Sequence, residues 1–119
     1  MPHRYKELKV WQKAMDLAEE VHRFSRAFPK EEMYSLTSQI GRAANSVPLN
    51  IAEGAGCRTD PEFVQFLGFA FRSCHEVATA AELAVRFGYV GRSVADAMIA
   101  QTDELANMLY ALMRKIEGK

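Results

Sequence analysis

Apolar residues recur at steps of three and four positions along four stretches of this chain. In an α-helix this spacing places the apolar side chains on one face, so each stretch can bury that face against the others. The helices are predicted over residues 8–28, 35–54, 59–87 and 93–116, and no stretch shows the alternation that predicts a strand. Four long helices joined by short turns are typical of an all-α, up-down-up-down four-helix bundle. Residues 1–119 are predicted to form one domain.

Helix three has the clearest signals at its ends. Thr59 or Asp60 can cap its first turn, and Pro61 suits the first helical position, where its missing N–H costs nothing. Gly88 is the predicted terminator. Ser93 is the predicted cap of helix four.

Helix two contains Pro48. Proline cannot donate a hydrogen bond to the carbonyl of Ala44, and its ring crowds that carbonyl, so the alternatives are a kinked but continuous helix or two shorter helices. The unbroken apolar spacing favours the kinked helix. Gly54 and Gly56 are predicted to end it, because glycine readily takes the left-handed conformation that closes a helix.

A row of polar residues runs along helix two beside its apolar row. One interpretation is a binding or catalytic groove. The other is a polar network between helices or subunits, in which the two charged residues find charged partners and the asparagine satisfies backbone groups near the proline. We favour the structural interpretation. The row consists of Arg42, Ser46, Asn50 and Glu53.

The chain has 15 basic and 15 acidic residues, so it lacks the overall positive field of many nucleic-acid-binding proteins. A local bias exists, because residues 1–30 carry seven Lys or Arg residues against four Asp or Glu residues. Weak contact with RNA or DNA is therefore possible through a small set of basic side chains. The candidates are Lys6, Lys9, Lys13, Arg23 and Arg58.

Cys57 and Cys74 are the only cysteines, and neither belongs to a Cys/His cluster with zinc-ligand spacing. Free thiols in a reducing compartment are expected. Arg58 could lower the pKa of the Cys57 thiol, but no His or Asn lies nearby in the sequence to complete a catalytic pair. The sequence therefore predicts no enzyme, no metal or other cofactor and no small-molecule substrate.

The N-terminus lacks the apolar core of a signal peptide, and no apolar run is long enough to span a membrane. We expect a cytoplasmic protein. Helix three is rich in phenylalanine, with more aromatic surface than one packing face can hide, and this predicts a homo-oligomer. These phenylalanines are Phe63, Phe66, Phe69, Phe71 and Phe87.

Two segments of the chain resemble a known family. They are YKELKVWQKAMDL at residues 5–17 and FPKEEMYSLTSQIGRAANSVPLNIAEGAGCRTDPEFVQFL at residues 28–67, of which NIAEG at residues 50–54 is the most specific part. They resemble the bacterial four-helix bundle proteins first noted in intervening sequences of large-subunit ribosomal RNA genes. That family includes the accessory variability proteins of diversity-generating retroelements. The likeness covers roughly residues 5–90, and helix four matches only in character.

The resemblance implies an all-α bundle that assembles into a homopentamer. For the retroelement branch it also implies a basic surface that binds nucleic acid and a reverse transcriptase. The chain departs from the family pattern at Cys57, where arginine is common, and at Arg72, where glycine is common before serine. We therefore expect a non-enzymatic, oligomeric protein with an accessory or scaffolding role. The alternative is a nucleic-acid-binding accessory factor.

Overall fold

A computed structural model describes residues 3–119 of the chain, and these residues form a four-helix bundle without strands. The four helices are α1 Lys9–Phe24, α2 Leu36–Ala55, α3 Asp60–Arg86 and α4 Arg92–Ile116. Single 3-10 turns lie at Tyr5–Glu7, Ser25–Ala27 and Lys30–Glu32. The fold predicted from the apolar spacing is confirmed.

Each helix packs against its neighbours in the chain, and α4 returns to pack against α1. The side of the bundle formed by α2 and α3 therefore lies opposite the side formed by α1 and α4. A helix of 27 residues such as α3 is about 40 Å long, which accounts for most of the 46 Å length of the bundle.

The core contains the apolar rows that the spacing predicted for α1 and α2. These are Val10, Ala14, Leu17, Val21, Phe24 and Phe28 for the first helix and Leu36, Ile40, Ala43, Val47 and Ile51 for the second. In α3 the buried row differs from the one that the apolar spacing predicted, because Leu67 and Cys74 are buried whereas Phe87 is 52% exposed. The predicted row consisted of Phe63, Phe66, Ala70, Ser73, Val77, Ala80, Ala84 and Phe87. Both rows of α3 satisfy the helical step, so the periodicity alone could not choose between them. The completely buried small residues Ala70, Ala81 and Ala84 let the neighbouring helices approach this side of α3.

The ends of α1, α3 and α4 follow local signals to different degrees. The α-helical part of α1 ends at Phe24, and a 3-10 turn replaces its predicted last turn. Thr59 caps α3 as predicted, since its Oγ1 accepts a hydrogen bond from the backbone N–H of Glu62 at 3.3 Å. The predicted Ser93 cap is wrong: Gly91 is the residue before α4, and Ser93 lies inside its first turn.

α2 continues through Pro48 as one helix, so the alternative of two shorter helices is wrong, and the kink stays a prediction. The predicted left-handed glycine ending is also wrong, because Gly54 is helical and Gly56 has φ −87°. Gly54 instead permits a close approach of α3, since a Cβ there would lie 2.7 Å from Cβ of Phe66. Gly88, with φ +81°, does end α3 as predicted.

At the same end of the bundle as Gly88, Glu32 joins two connections. One carboxylate oxygen accepts a hydrogen bond from the backbone N–H of Leu36 at 3.1 Å, which caps α2. The other accepts from the Tyr89 hydroxyl at 2.5 Å. The Tyr89 hydrogen bond, followed by that from Leu36, holds the pKa of Glu32 below its usual value, and the same contact raises the pKa of Tyr89.

Candidate functional site

The inner half of the predicted polar row forms hydrogen bonds between and within helices. The hydroxyls of Ser46 on α2 and Ser73 on α3 lie 2.5 Å apart. The side-chain amide of Asn50 donates to the carbonyl of Ser46 at 2.8 Å, so it does not serve the Ala44 carbonyl that faces the proline. Ser46, Asn50 and Ser73 are half-buried. The contact between Ser46 and Ser73 joins α2 to α3, whereas the Asn50 hydrogen bond stays within α2.

The outer half of the row consists of Arg42 and Glu53, and both are exposed. Within residues 3–119 neither forms an ion pair. They cannot pair with each other, because eleven positions on one helix separate them by about 16 Å. The structure therefore divides the row into two internally bonded residues and two charges that point to solvent.

Large apolar side chains lie exposed beside these charges. Leu49 is 60% exposed on α2, and Phe69 is 36% exposed on α3. The rings of Phe66 and Phe69 meet edge to face at 5.7 Å, and the guanidinium carbon of Arg72 lies 5.1 Å from the centre of the Phe69 ring. Because α2 and α3 are antiparallel and Ser46 meets Ser73, Leu49 lies at the same level of the bundle as Phe69.

We call this surface the α2–α3 face. Its members are Arg42, Leu49, Glu53, Phe66, Phe69 and Arg72. Sequence reasoning identified the charged residues and the aromatic excess of α3, but it missed Leu49. The available signal was a leucine outside the apolar row of α2, positioned between Arg42 and Glu53 at helical steps.

The candidate nucleic-acid contacts do not form one surface. Lys13 pairs with Glu104 of α4 at 3.4 Å. Arg23 pairs with Glu20, and this pair lies near the end of α1, whereas Lys9 lies at its beginning. Both are thus already partnered by carboxylates.

Lys6, Lys9 and Arg58 lie at one end of the bundle. The backbone N–H of His3 donates to the carbonyl of Ala55 at 2.7 Å, which brings the N-terminal segment to the end of α2. The last turn of α4 reaches the same end and adds two basic residues. Acidic residues are interspersed there as well, so the charge at this end is mixed. The added basic residues are Arg114 and Lys115, and the acidic ones are Glu7, Glu53, Asp60, Glu62 and Glu117.

Neither thiol is activated. Burial raises the pKa of Cys74 to about 12, with a further contribution from Asp103. Burial, then the charges of Glu62 and Glu53, raise the pKa of Cys57, so the expectation that a neighbouring arginine lowers it is wrong. Nothing in residues 3–119 indicates an enzyme. No group of three or more His, Cys, Asp or Glu side chains in that range is placed to hold a metal ion.

None of the four helices is long and apolar enough to cross a membrane, as judged over the described part of the chain. This finding agrees with the charged residues that occur along every helix.

Comparisons with known proteins agree with the fold. A crystal structure of a protein of unknown function from the S23 ribosomal protein family of Bacteroides thetaiotaomicron superposes with a TM-score of 0.82. The two chains are 20% identical, and the match covers 88% of this chain and 98% of that one. The comparison with curated proteins finds no match. The family model described as "23S rRNA-intervening sequence protein" matches residues 6–111, and the chain belongs to that family.

Proposed function

We propose that this protein is a non-enzymatic, self-assembling bundle with an accessory or scaffolding role, and that it forms a homo-oligomer. A homopentamer is the state that the family resemblance implies. Apolar patches of this kind on soluble proteins commonly mark interaction sites. Most soluble oligomers are homo-oligomers with closed symmetry, so a second copy of this chain is the partner that we propose for this surface.

One observation carries the proposal, namely the exposure of Leu49 beside Phe69 on the α2–α3 face. The fold does not need Leu49 to be apolar, since the core row of α2 is complete without it. A polar rim formed by Arg42, Glu53 and Arg72 surrounds these two side chains, which is the usual anatomy of a protein interface.

Light scattering coupled to size-exclusion chromatography at micromolar concentration tests the proposal. We expect a mass several times the 13.4 kDa of the chain, and about five times that mass for the pentamer. Leu49→Asp is expected to shift the mass toward the monomer. Tyr34→Asp is the matched control, because Tyr34 is 92% exposed and lies outside the α2–α3 face. A wild-type protein that elutes as a clean monomer would refute the proposal.

A second candidate function is nucleic-acid binding as an accessory factor. The observation that favours it is the gathering of Lys6, Lys9 and Arg58 at one end with the basic last turn of α4. The mixed charge there predicts weak binding that decreases steeply with salt, because each phosphate contact releases counterions.

Titration of structured RNA and duplex DNA near physiological salt tests this second candidate. We expect Arg58→Ala to weaken binding, whereas Lys30→Ala, at the opposite end, is expected to leave it unchanged. If wild-type protein shows no sub-micromolar binding to either nucleic acid, it is not a dedicated nucleic-acid-binding factor, and if it shows no binding at all the candidate fails.

A further inference from the structure

A row of aromatic rings crosses the surface where α3 packs on α4. The ring centre of Phe71 on α3 lies 6.0 Å from that of Tyr110 on α4 and 4.7 Å from that of His75. Phe71 is half-buried, whereas Tyr110 is 50% exposed and His75 is exposed. The guanidinium carbon of Arg114 lies 5.9 Å from the centre of the Tyr110 ring. We call these four residues the α3–α4 row.

The α3–α4 row is separate from the α2–α3 face. Phe71 lies beside Tyr110 of α4, whereas Phe69 lies beside Phe66 and Arg72. Two positions on a helix differ by about 200° around its axis, so Phe69 and Phe71 lie on opposite flanks of α3. The proposed self-assembly therefore uses the other flank of this helix and does not account for the exposed rings of the row.

The exposed rings are held in place by contacts within the chain. A carbonyl oxygen can only accept, so Nδ1 of His75 carries a proton and donates it to the Phe71 carbonyl at 3.0 Å. Arg114 lies one turn after Tyr110, beside its ring. All four residues belong to long helices, so a flat ligand could bind them with little loss of conformational entropy in the protein.

The charges around the row are mixed. They are Arg72, Arg114 and Lys115 against Glu76, Asp103 and Glu117. A ligand that is recognised mainly by its charge is therefore not expected here. Exposed aromatic rings beside a guanidinium instead suit the flat faces of nucleobases, which stack on aromatic and arginine side chains. Only unpaired bases offer their faces in this way, because the bases of a duplex stack on each other.

The row continues into the basic end of the bundle. Arg114 and Lys115 form the basic last turn of α4, which lies at the same end as Lys6, Lys9 and Arg58. A strand whose phosphates contact this end can therefore reach the row with its next bases.

We propose that the α3–α4 row is a stacking site for the unpaired bases of a single-stranded nucleic acid. Tyr110 and His75 each stack on a base, Phe71 supports both rings, and Arg114 contacts the neighbouring phosphate. The inference rests on the second candidate function, since it names the form of nucleic acid that would be bound and the residues that select it.

Fluorescence anisotropy with three labelled probes tests the proposal. The probes are an unstructured single strand of about twelve nucleotides, a duplex of the same length, and an abasic strand of the same length and charge. We expect the single strand to bind about fivefold or more tighter than the other two, because only its bases can stack on the row.

Substitutions in the row test which residues select the bases. Tyr110→Ala is expected to weaken single-strand binding by about fivefold or more, and His75→Ala to weaken it in the same direction. Tyr110→Phe is expected to bind like wild type, since the ring and not the hydroxyl stacks on a base. Tyr34→Ala is the control, because Tyr34 is 92% exposed and lies at the opposite end of the bundle. Circular dichroism confirms that the variants remain helical.

Salt separates the stacking contacts from the phosphate contacts. The factor lost in Tyr110→Ala is expected to be the same at low and high salt, because stacking is not screened. The factor lost in Arg58→Ala is expected to shrink as salt rises, because removing a phosphate contact reduces the salt dependence of binding.

The outcomes distinguish this site from the basic end. If wild type binds the single strand, the duplex and the abasic strand alike, or if Tyr110→Ala binds like wild type, the α3–α4 row is not the site and the second candidate function still stands. If wild type binds none of the three probes, both are wrong.

Discussion

Gly54 lies where α2 and α3 approach each other, and replacing it with alanine tests how the bundle is packed. A Cβ at this position would lie 2.7 Å from Cβ of Phe66 and 2.9 Å from Cδ1 of Phe63. The Phe63 ring can rotate, but Cβ of Phe66 is fixed to the backbone of α3. To reach an ordinary contact of 3.4 Å, α3 must move by roughly 0.7 Å.

Gly41 provides the matched control, because it lies on the same helix and a Cβ there meets nothing within 4 Å. Alanine is favoured over glycine in a helix by about 1 kcal/mol. Gly41→Ala is therefore expected to stabilise the protein by about that amount, or roughly 4 °C in the melting temperature. At Gly54 the same gain is opposed by an overpacking cost of about 1 to 3 kcal/mol plus loosened contacts between α2 and α3.

We expect Gly54→Ala to be less stable than wild type and to differ from Gly41→Ala by about 2 to 3 kcal/mol. Urea denaturation followed by circular dichroism measures both values, at one protein concentration because assembly shifts apparent stability. If Gly54→Ala is as stable as Gly41→Ala, then α3 does not approach α2 as described and the packing argument is refuted.

Three further substitutions follow from contacts of single residues. Asn50→Ala is expected to lower the free energy of unfolding by about 1 kcal/mol, because its hydrogen bond is lost. Glu53 is exposed and unpaired within residues 3–119, so Glu53→Ala is expected to change the stability of the monomer by less than about 0.5 kcal/mol. Urea titration of both variants shows which of the two is less stable. Tyr89→Phe is expected to lower stability at pH 7. The hydrogen bond from Tyr89 lowers the folded-state pKa of Glu32, so it stabilises the fold above the unfolded pKa of about 4.3. This stabilisation disappears as the pH falls through the folded-state pKa of Glu32. The melting temperatures of wild type and Tyr89→Phe should therefore converge in acid. Gly88→Ala is expected to cost about 1 to 2 kcal/mol in a thermal melt, since φ is +81° and no neighbouring atom obstructs the added methyl.

Local signals in the sequence predicted the local features of the fold. The Thr59 cap depends only on residues within one turn, and the stop at Gly88 depends on one backbone angle. Apolar spacing predicted four helices because it reflects burial on one side of each helix. It could not choose between Leu67 and Phe66 for the core of α3, since both fit the period and the choice depends on the shape of the neighbouring helices.

Features that depend on distant residues were not predictable in this way. Gly54 resembles an ordinary helix terminator in the sequence. In the structure a glycine is needed there because Phe66 of α3 packs against it. The partner of Ser46 lies 27 positions away. The pKa of Cys57 was judged from its sequence neighbour Arg58, whereas in the structure burial and two carboxylates determine its direction.

The four residues of the polar row of α2 do not share a single role. Residues at steps of three and four share a flank of a helix but not one direction, so small rotations separate those that face a neighbouring helix from those that face outward. Ser46 and Asn50 have their hydrogen-bonding needs met inside the chain, and changing them should affect the stability of one copy. Arg42 and Glu53 are solvated and cost the single chain nothing, so charge alone requires no partner. Leu49 between them is apolar and 60% exposed, and the proposed self-assembly would cover it. The outer residues should therefore matter for assembly and the inner ones for folding.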